Sequence, residues 1–156
     1  MKEILIAFLI ALVLGSILNS MREQQSGGSS STSSQEQAKI NENIKEVDES
    51  NFESEVADSA MPVLVDFYAD TNLACVATAP VLAEIANEYK GAVKVVKIDV
   101  LRSPRLAHRY EVHSTLPALM VFKGGRKEAQ QAGPIPKEEI VALIKPYLEA
   151  DKASAD

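Results

Sequence analysis

Cys75 is the only cysteine of the chain. One thiol cannot close an intramolecular disulfide, furnish a multi-thiolate zinc site, or complete a two-thiol redox cycle by itself. Asp66 is the second chemically pointed residue. It interrupts the apolar run Met61 to Tyr68 (MPVLVDFY), and a carboxylate in such a run is costly unless paired or protonated, which makes it a candidate general base of raised pKa. His108 and His113 stand five apart at the end of a predicted helix; without further ligands that spacing makes no metal site, and we expect no metal. Gly124-Gly125 reads as a turn, since no helix opening with Lys-Ser/Thr follows to hold a phosphate.

The elements that must position these residues occupy part of a chain of 156 residues with 16 basic and 22 acidic side chains, a net charge of −6. That balance argues against a nucleic-acid partner, which needs a basic face to displace phosphate counterions. Ile4 to Met21 carries no charge and has about the length of a short membrane span. Cleavage as a secretory signal would place Leu14 or Leu18 where a small residue is wanted. Residues 1–21 are therefore expected to be a retained transmembrane anchor. Lys2 before it and Arg22 after it place the remainder on the non-cytoplasmic (periplasmic or extracellular) side. Residues 22–43, centred on QQSGGSSSTSSQEQ, are too poor in apolar side chains to order themselves and read as a disordered linker. Residues 44–150 are expected to form the folded domain and 151–156 a tail.

Within the domain the hydrophobic period switches between strand and helix. A short strand and helix occupy Ile44 to Val56, and Met61 to Tyr68 is a strand buried on both faces. Val81, Leu82, Ile85, Ala86 and Tyr89 then mark a helix running from Leu73 to Lys90, with Asn72 as its cap. Val93 to Val100 is a strand, and Ser103-Pro104 opens a helix with a capping hydroxyl. Leu116 to Phe122 is a strand that turns at Gly124-Gly125 into another. Pro136 opens a last helix, which Pro146 should kink. Helices on both faces of a mixed sheet make an α/β three-layer sandwich. The charged start (Glu46, Asp48, Glu49, Glu53, Glu55) reads as a solvated face.

The stretch VLVDFYADTNLACVATAP resembles the active-site segment of the thioredoxin family, in which a strand ending Asp-Phe-aromatic-Ala leads into Trp-Cys-x-x-Cys and a Pro-kinked helix. VVKIDV, TLPALMVFKGGR and Gly133 follow the same family in order, with one residue more between Tyr110 and Pro117. The resemblance spans Val47 to Ala150 and implies a thioredoxin-like fold. It also implies that Asn72 stands where thioredoxins keep the attacking cysteine, and that Cys75 matches the resolving one. Thr71 takes the place of the family's tryptophan. In the family's cycle the first thiolate attacks a substrate disulfide and the second releases the mixed disulfide. Lacking the attacker, this chain is excluded as a self-contained dithiol reductase.

The resemblance further places Cys75 inward with Asp66 beneath it, and sets Lys97 near that acid. Cys75, Asp66 and Lys97 are thus the candidate catalytic set. Pro117 matches the family's cis-proline. Thr71, Asn72, Leu73, Ala74, Leu116 and Pro117 are expected to form an apolar groove for an extended peptide, by strand-like pairing. The expected function is a membrane-tethered, non-catalytic protein- or peptide-binding or assembly module, working without a cofactor. One alternative is thiol-disulfide homeostasis through Cys75 as a monothiol; another is a structural subunit of a membrane complex.

Overall fold

Strand β2 (Val63–Tyr68) is buried at every position, as a run apolar on both faces requires. It begins at Val63 rather than Met61: Pro62 has no N–H for a ladder, though its carbonyl accepts from the Lys94 amide at 2.9 Å. The computed structural model describes residues 43–148 with the exception of His113. The expected anchor (1–21), the linker through residue 42, and residues 149–156 lie outside them. Among the described residues no helix is long and apolar enough to cross a membrane.

Five strands form one mixed sheet. They are β1 (Ile44–Glu46), β2, β3 (Lys94–Asp99), β4 (Ala118–Lys123) and β5 (Arg126–Ala132), in the order β1-β3-β2-β4-β5. The β1, β3 and β2 strands run parallel, β4 runs antiparallel to β2, and β5 runs antiparallel to β4. Helices α1 (Leu73–Glu88) and α3 (Lys137–Leu148) supply Leu82, Ile85, Ile140 and Ile144 to a core that includes Leu64, Val95 and Val121. The other face packs Val63, Val65 and Phe67 against Leu106 of α2 (Pro104–Arg109) and against Phe52 and Val56. Alternation along β2 therefore puts Asp66 on the Leu64 face, toward α1 and α3. α3 runs through Pro146 to Leu148; the proline costs it the hydrogen bond to the carbonyl four residues back.

The predicted N-terminal helix is a single π turn, Glu53–Ala57, closed by the Asp58 amide on the Glu53 carbonyl at 2.8 Å. The acidic start is more than a solvated face. Glu46, Glu49 and Glu53 pair with Arg102, Arg105 and Arg109 at a constant offset of 56 residues. Glu55 joins Lys45 and Lys94, each at 2.6 Å, and those hydrogen bonds hold its carboxyl down to about 2. Exposed pairs contribute little each, so burial of Val47, Phe52 and Val56 holds the segment and the ladder selects its register.

Ser103 is not the expected hydroxyl cap. Its Oγ is buried without a hydrogen-bond partner. Glu49 takes the role from a distance, its Oε1 accepting from the Arg105 amide at 2.8 Å. The other end of α2 closes with Glu111 and Val112 amides on the His108 and Ala107 carbonyls at 3.2 and 2.8 Å, a Schellman pairing that puts Glu111 at φ 59°. Glycine tolerates that left-handed conformation where a side chain is strained. Glu111→Gly is therefore expected to stabilise the fold by up to about 1 kcal/mol, read as a rise in urea midpoint; a fall would show that the side chain contributes a contact of its own.

Candidate functional site

The first turn of α1 is built by Asn72. Its backbone is extended (φ −95°, ψ 115°), and its Oδ1 accepts from the amides of Ala74 at 2.9 Å and Cys75 at 3.2 Å. Neither an acid in the first turn nor a base in the last assists the helix dipole, so this amide carries the N-terminus. The Asn72 side chain is thus occupied in holding backbone.

Cys75 follows inside that turn, 4% exposed. Burial pushes its thiol above the ordinary value of 9.0, and the charges of Asp66 and Asp70 add to the rise; backbone hydrogen bonds at Ala69 and at its own amide pull the other way without prevailing. The thiol is thus protonated at neutral pH, and little nucleophile is present. Alkylation of the native protein by iodoacetamide should be at least ~10-fold slower at pH 7 than in the urea-unfolded chain. The rate should climb with pH without levelling below 9. A plateau near neutrality would contradict this picture.

Asp66 lies on the α1 side of β2, directly in register with Lys97 of β3. The two are not an ion pair. Lys97 turns outward, its Nζ 3.9 Å from Glu46 and 5.1 Å from the centre of the Tyr68 ring, and its side chain is 38% exposed. Asp66 is left 5% exposed with Oδ1 lacking a hydrogen-bond partner. Burial raises its carboxyl to about 7, against a smaller lowering by the Lys97 charge. At neutral pH such a group shares its proton with whatever can take it, which suits a general acid or base. Its reach extends to Cys75, whose thiol it pushes up, so the acid and the thiol form one local system.

The Leu116-Pro117 peptide is cis. Pro117 is buried and Leu116 half-buried. The Pro117 carbonyl accepts from the Gly133 amide at 2.8 Å, and a methyl group on Gly133 would stand 3.7 Å from Thr115 Cγ2. β4 meets β2 with Ala118 opposite Phe67, so the Pro117 loop starts at the end of the sheet where β2 hands the chain to α1. Thr71 is exposed there, and Asn72 and Ala74 are half-buried. Leu73 is 85% exposed and Val76 56%. All six expected groove residues thus lie at the C-terminal end of the parallel strands, where open α/β sheets bind ligands.

Two exposed apolar residues at this end of the sheet were missed. Val76 shares the exposed face of Leu73 because it is three residues on, a spacing readable in sequence. Leu101, 70% exposed after β3, gave no such signal, since its placement depends on strand order. Among the described residues no group of three or more His, Cys, Asp or Glu is arranged to hold a metal ion. His108 lies in α2, away from the thiol in sequence, and His113 is outside the described residues.

A family model described as thioredoxin matches residues 43–146. The chain is 46% identical over 94 residues to Thioredoxin C-2 of Corynebacterium nephridii, covering 60% of this chain and 86% of that protein. It is 42% identical over 103 residues to Thioredoxin 1 of a Nostoc species, covering 66% and 95%. To the chloroplastic M-type thioredoxin of Chlamydomonas reinhardtii it is 43% identical over 102 residues, covering 65% and 72%.

Proposed function

The chain belongs to the thioredoxin family, and on that premise we propose that it is a membrane-tethered binding or assembly module that engages extended polypeptide without dithiol chemistry. The observation that carries this reading is the commitment of Asn72 Oδ1 to the Ala74 and Cys75 amides, with the sole thiol of the chain buried behind it. A disulfide reductase needs an exposed thiolate to attack and a second thiol to release. Here the attacker's position is a half-buried amide, and the second position has nothing to resolve.

What replaces chemistry is surface. Leu73 and Val76 are exposed beside the Leu116-Pro117 loop, and such a platform suits backbone pairing with shallow side-chain pockets. The anchor assigned to residues 1–21 would hold the domain near a bilayer, and the linker would let it reach membrane-associated partners, on the non-cytoplasmic side by the charge flanking the anchor. Protease added to intact spheroplasts should digest the domain; protection until lysis would reverse that orientation. The monothiol alternative draws on the placement of Cys75 in the first turn of α1, where the dipole favours thiolate, against burial and Asp66.

Insulin reduction with dithiothreitol separates the readings. The full chain is expected to give no turnover above the reductant alone, and Cys75→Ser to change nothing. Turnover that vanishes in Cys75→Ser would overturn the binding-module reading in favour of a monothiol enzyme.

A further inference from the structure

Four large hydrophobic side chains are conspicuously exposed among the described residues: Met61, Leu73, Val76 and Leu101. Met61 precedes β2 and stands at the far end of the sheet. The other three lie at the opposite end, Leu73 and Val76 in the first turn of α1 and Leu101 in the turn after β3. The β2–β3 register closes with Tyr68 opposite Asp99, so Asp70 and Leu101 follow the ends of adjacent strands, each in the turn that comes next. The Leu101 amide donates to Asp99 Oδ1 at 2.9 Å, which fixes that loop with its leucine outward. Exposed apolar residues and the acids Asp70 and Asp99 thus share this end of the sheet.

Glu46, Glu49, Glu53 and Glu55 all have cationic partners, whereas no ion pair among the described residues uses Asp70 or Asp99. Lys97 and Arg102 are both drawn to Glu46. Tyr68 senses the result: beyond its burial, Glu46, Asp70 and Asp99 all push its hydroxyl up, to about 12. An apolar platform edged with unpaired carboxylates attracts cations that bring aliphatic surface with them. A second copy of this chain, itself at −6, is repelled.

We propose that the groove selects a cysteine-free, extended polypeptide segment in which aliphatic residues adjoin lysines or arginines, the aliphatic side chains resting on Leu73, Val76 and Leu101 and the cations facing Asp70 and Asp99. This rests on the peptide-binding reading above and adds the chemistry of the partner. Asn72 makes cysteine dispensable in that partner, and the two aspartates decide its charge.

The test uses the full chain in detergent micelles and two fluorescent ten-residue peptides, one alternating valine and leucine with lysine, its twin carrying glutamate for lysine. Fluorescence anisotropy should show the lysine peptide binding at least about tenfold more tightly, with the advantage shrinking as salt is raised. Asp70→Asn with Asp99→Asn, which keeps the acceptor for Leu101, should erase the preference. Leu73→Ser with Val76→Ser should abolish binding of both peptides; Asp70, Leu73 and Val76 are exposed and Asp99 is half-buried with its acceptor retained in the asparagine, so folding persists, and the salt series on the unaltered chain needs no variant. Equal binding of the twins overturns the charge selection while leaving peptide binding intact. Binding of neither peptide overturns the underlying reading. Binding unchanged in both double variants is uptake by the micelle and overturns the placement.

Discussion

Asp66→Asn is expected to make the domain more stable above neutral pH and to remove most of the pH dependence of its stability. In the folded chain burial raises the Asp66 carboxyl to about 7, from an unfolded value near 3.8. Between those values the folded state binds the extra proton, so stability falls as pH rises. The contribution is intact below about 4, declines through 7, and is constant and unfavourable above it. At about 1.4 kcal/mol per pH unit, the interval sets an upper scale of about 4 kcal/mol. The unsatisfied Oδ1 and the absence of an ion pair with Lys97 explain why the charge is not compensated. Urea unfolding at pH 5, 7 and 9, followed by circular dichroism because the chain has no tryptophan, should show the wild type weakening and the asparagine variant nearly level. Parallel curves for the two would mean that the charge finds a partner on ionising. If Asp66 is a relic of a step no longer performed, its removal should leave peptide binding unchanged.

Asn72→Cys is expected to confer what the chain lacks. The substitution places a second thiol one helical turn before Cys75, at the exposed N-terminus of α1, where the dipole favours thiolate. That thiolate can attack an insulin disulfide, and Cys75 can then displace it, forming the intramolecular disulfide and releasing the reduced substrate thiol. Turnover with dithiothreitol should rise at least ~10-fold over the unaltered chain and disappear again with Cys75→Ser. The lost cap should cost about 1 kcal/mol, measurable as a lower urea midpoint in the reduced form. A variant that keeps two free thiols under oxidising conditions and reduces nothing would show that more than the missing sulfur separates this site from a reductase. Thr71, in place of the family's tryptophan, would be the next residue to change.

Much of the fold was legible because its signals are local. The β2 run is apolar on both sides, α1 has a strong cap and a helical stripe, and Gly124-Gly125 supplies the positive φ of the turn between β4 and β5. The errors came where a distant residue overrode a local one. Ser103 has the chemistry of a cap, yet Glu49, far away in sequence, reaches the Arg105 amide first and leaves the serine hydroxyl buried. The acids of the first segment looked merely solvated because their arginines lie 56 residues on.

The sequence by itself determined the fold class, the single thiol, and Asn72 as the cap of α1, because residue type and spacing suffice for these. Only the tertiary structure decided the electrostatics. Whether Asp66 is paired, how far Cys75 is from ionising, and which acids remain uncompensated depend on desolvation and on distances between strands. Strand order places Lys97 in register with Asp66, but side-chain packing turns its ammonium toward Glu46. That choice, which no periodicity encodes, leaves a proton on the buried acid, and among the described residues Asp70 and Asp99 enter no ion pair.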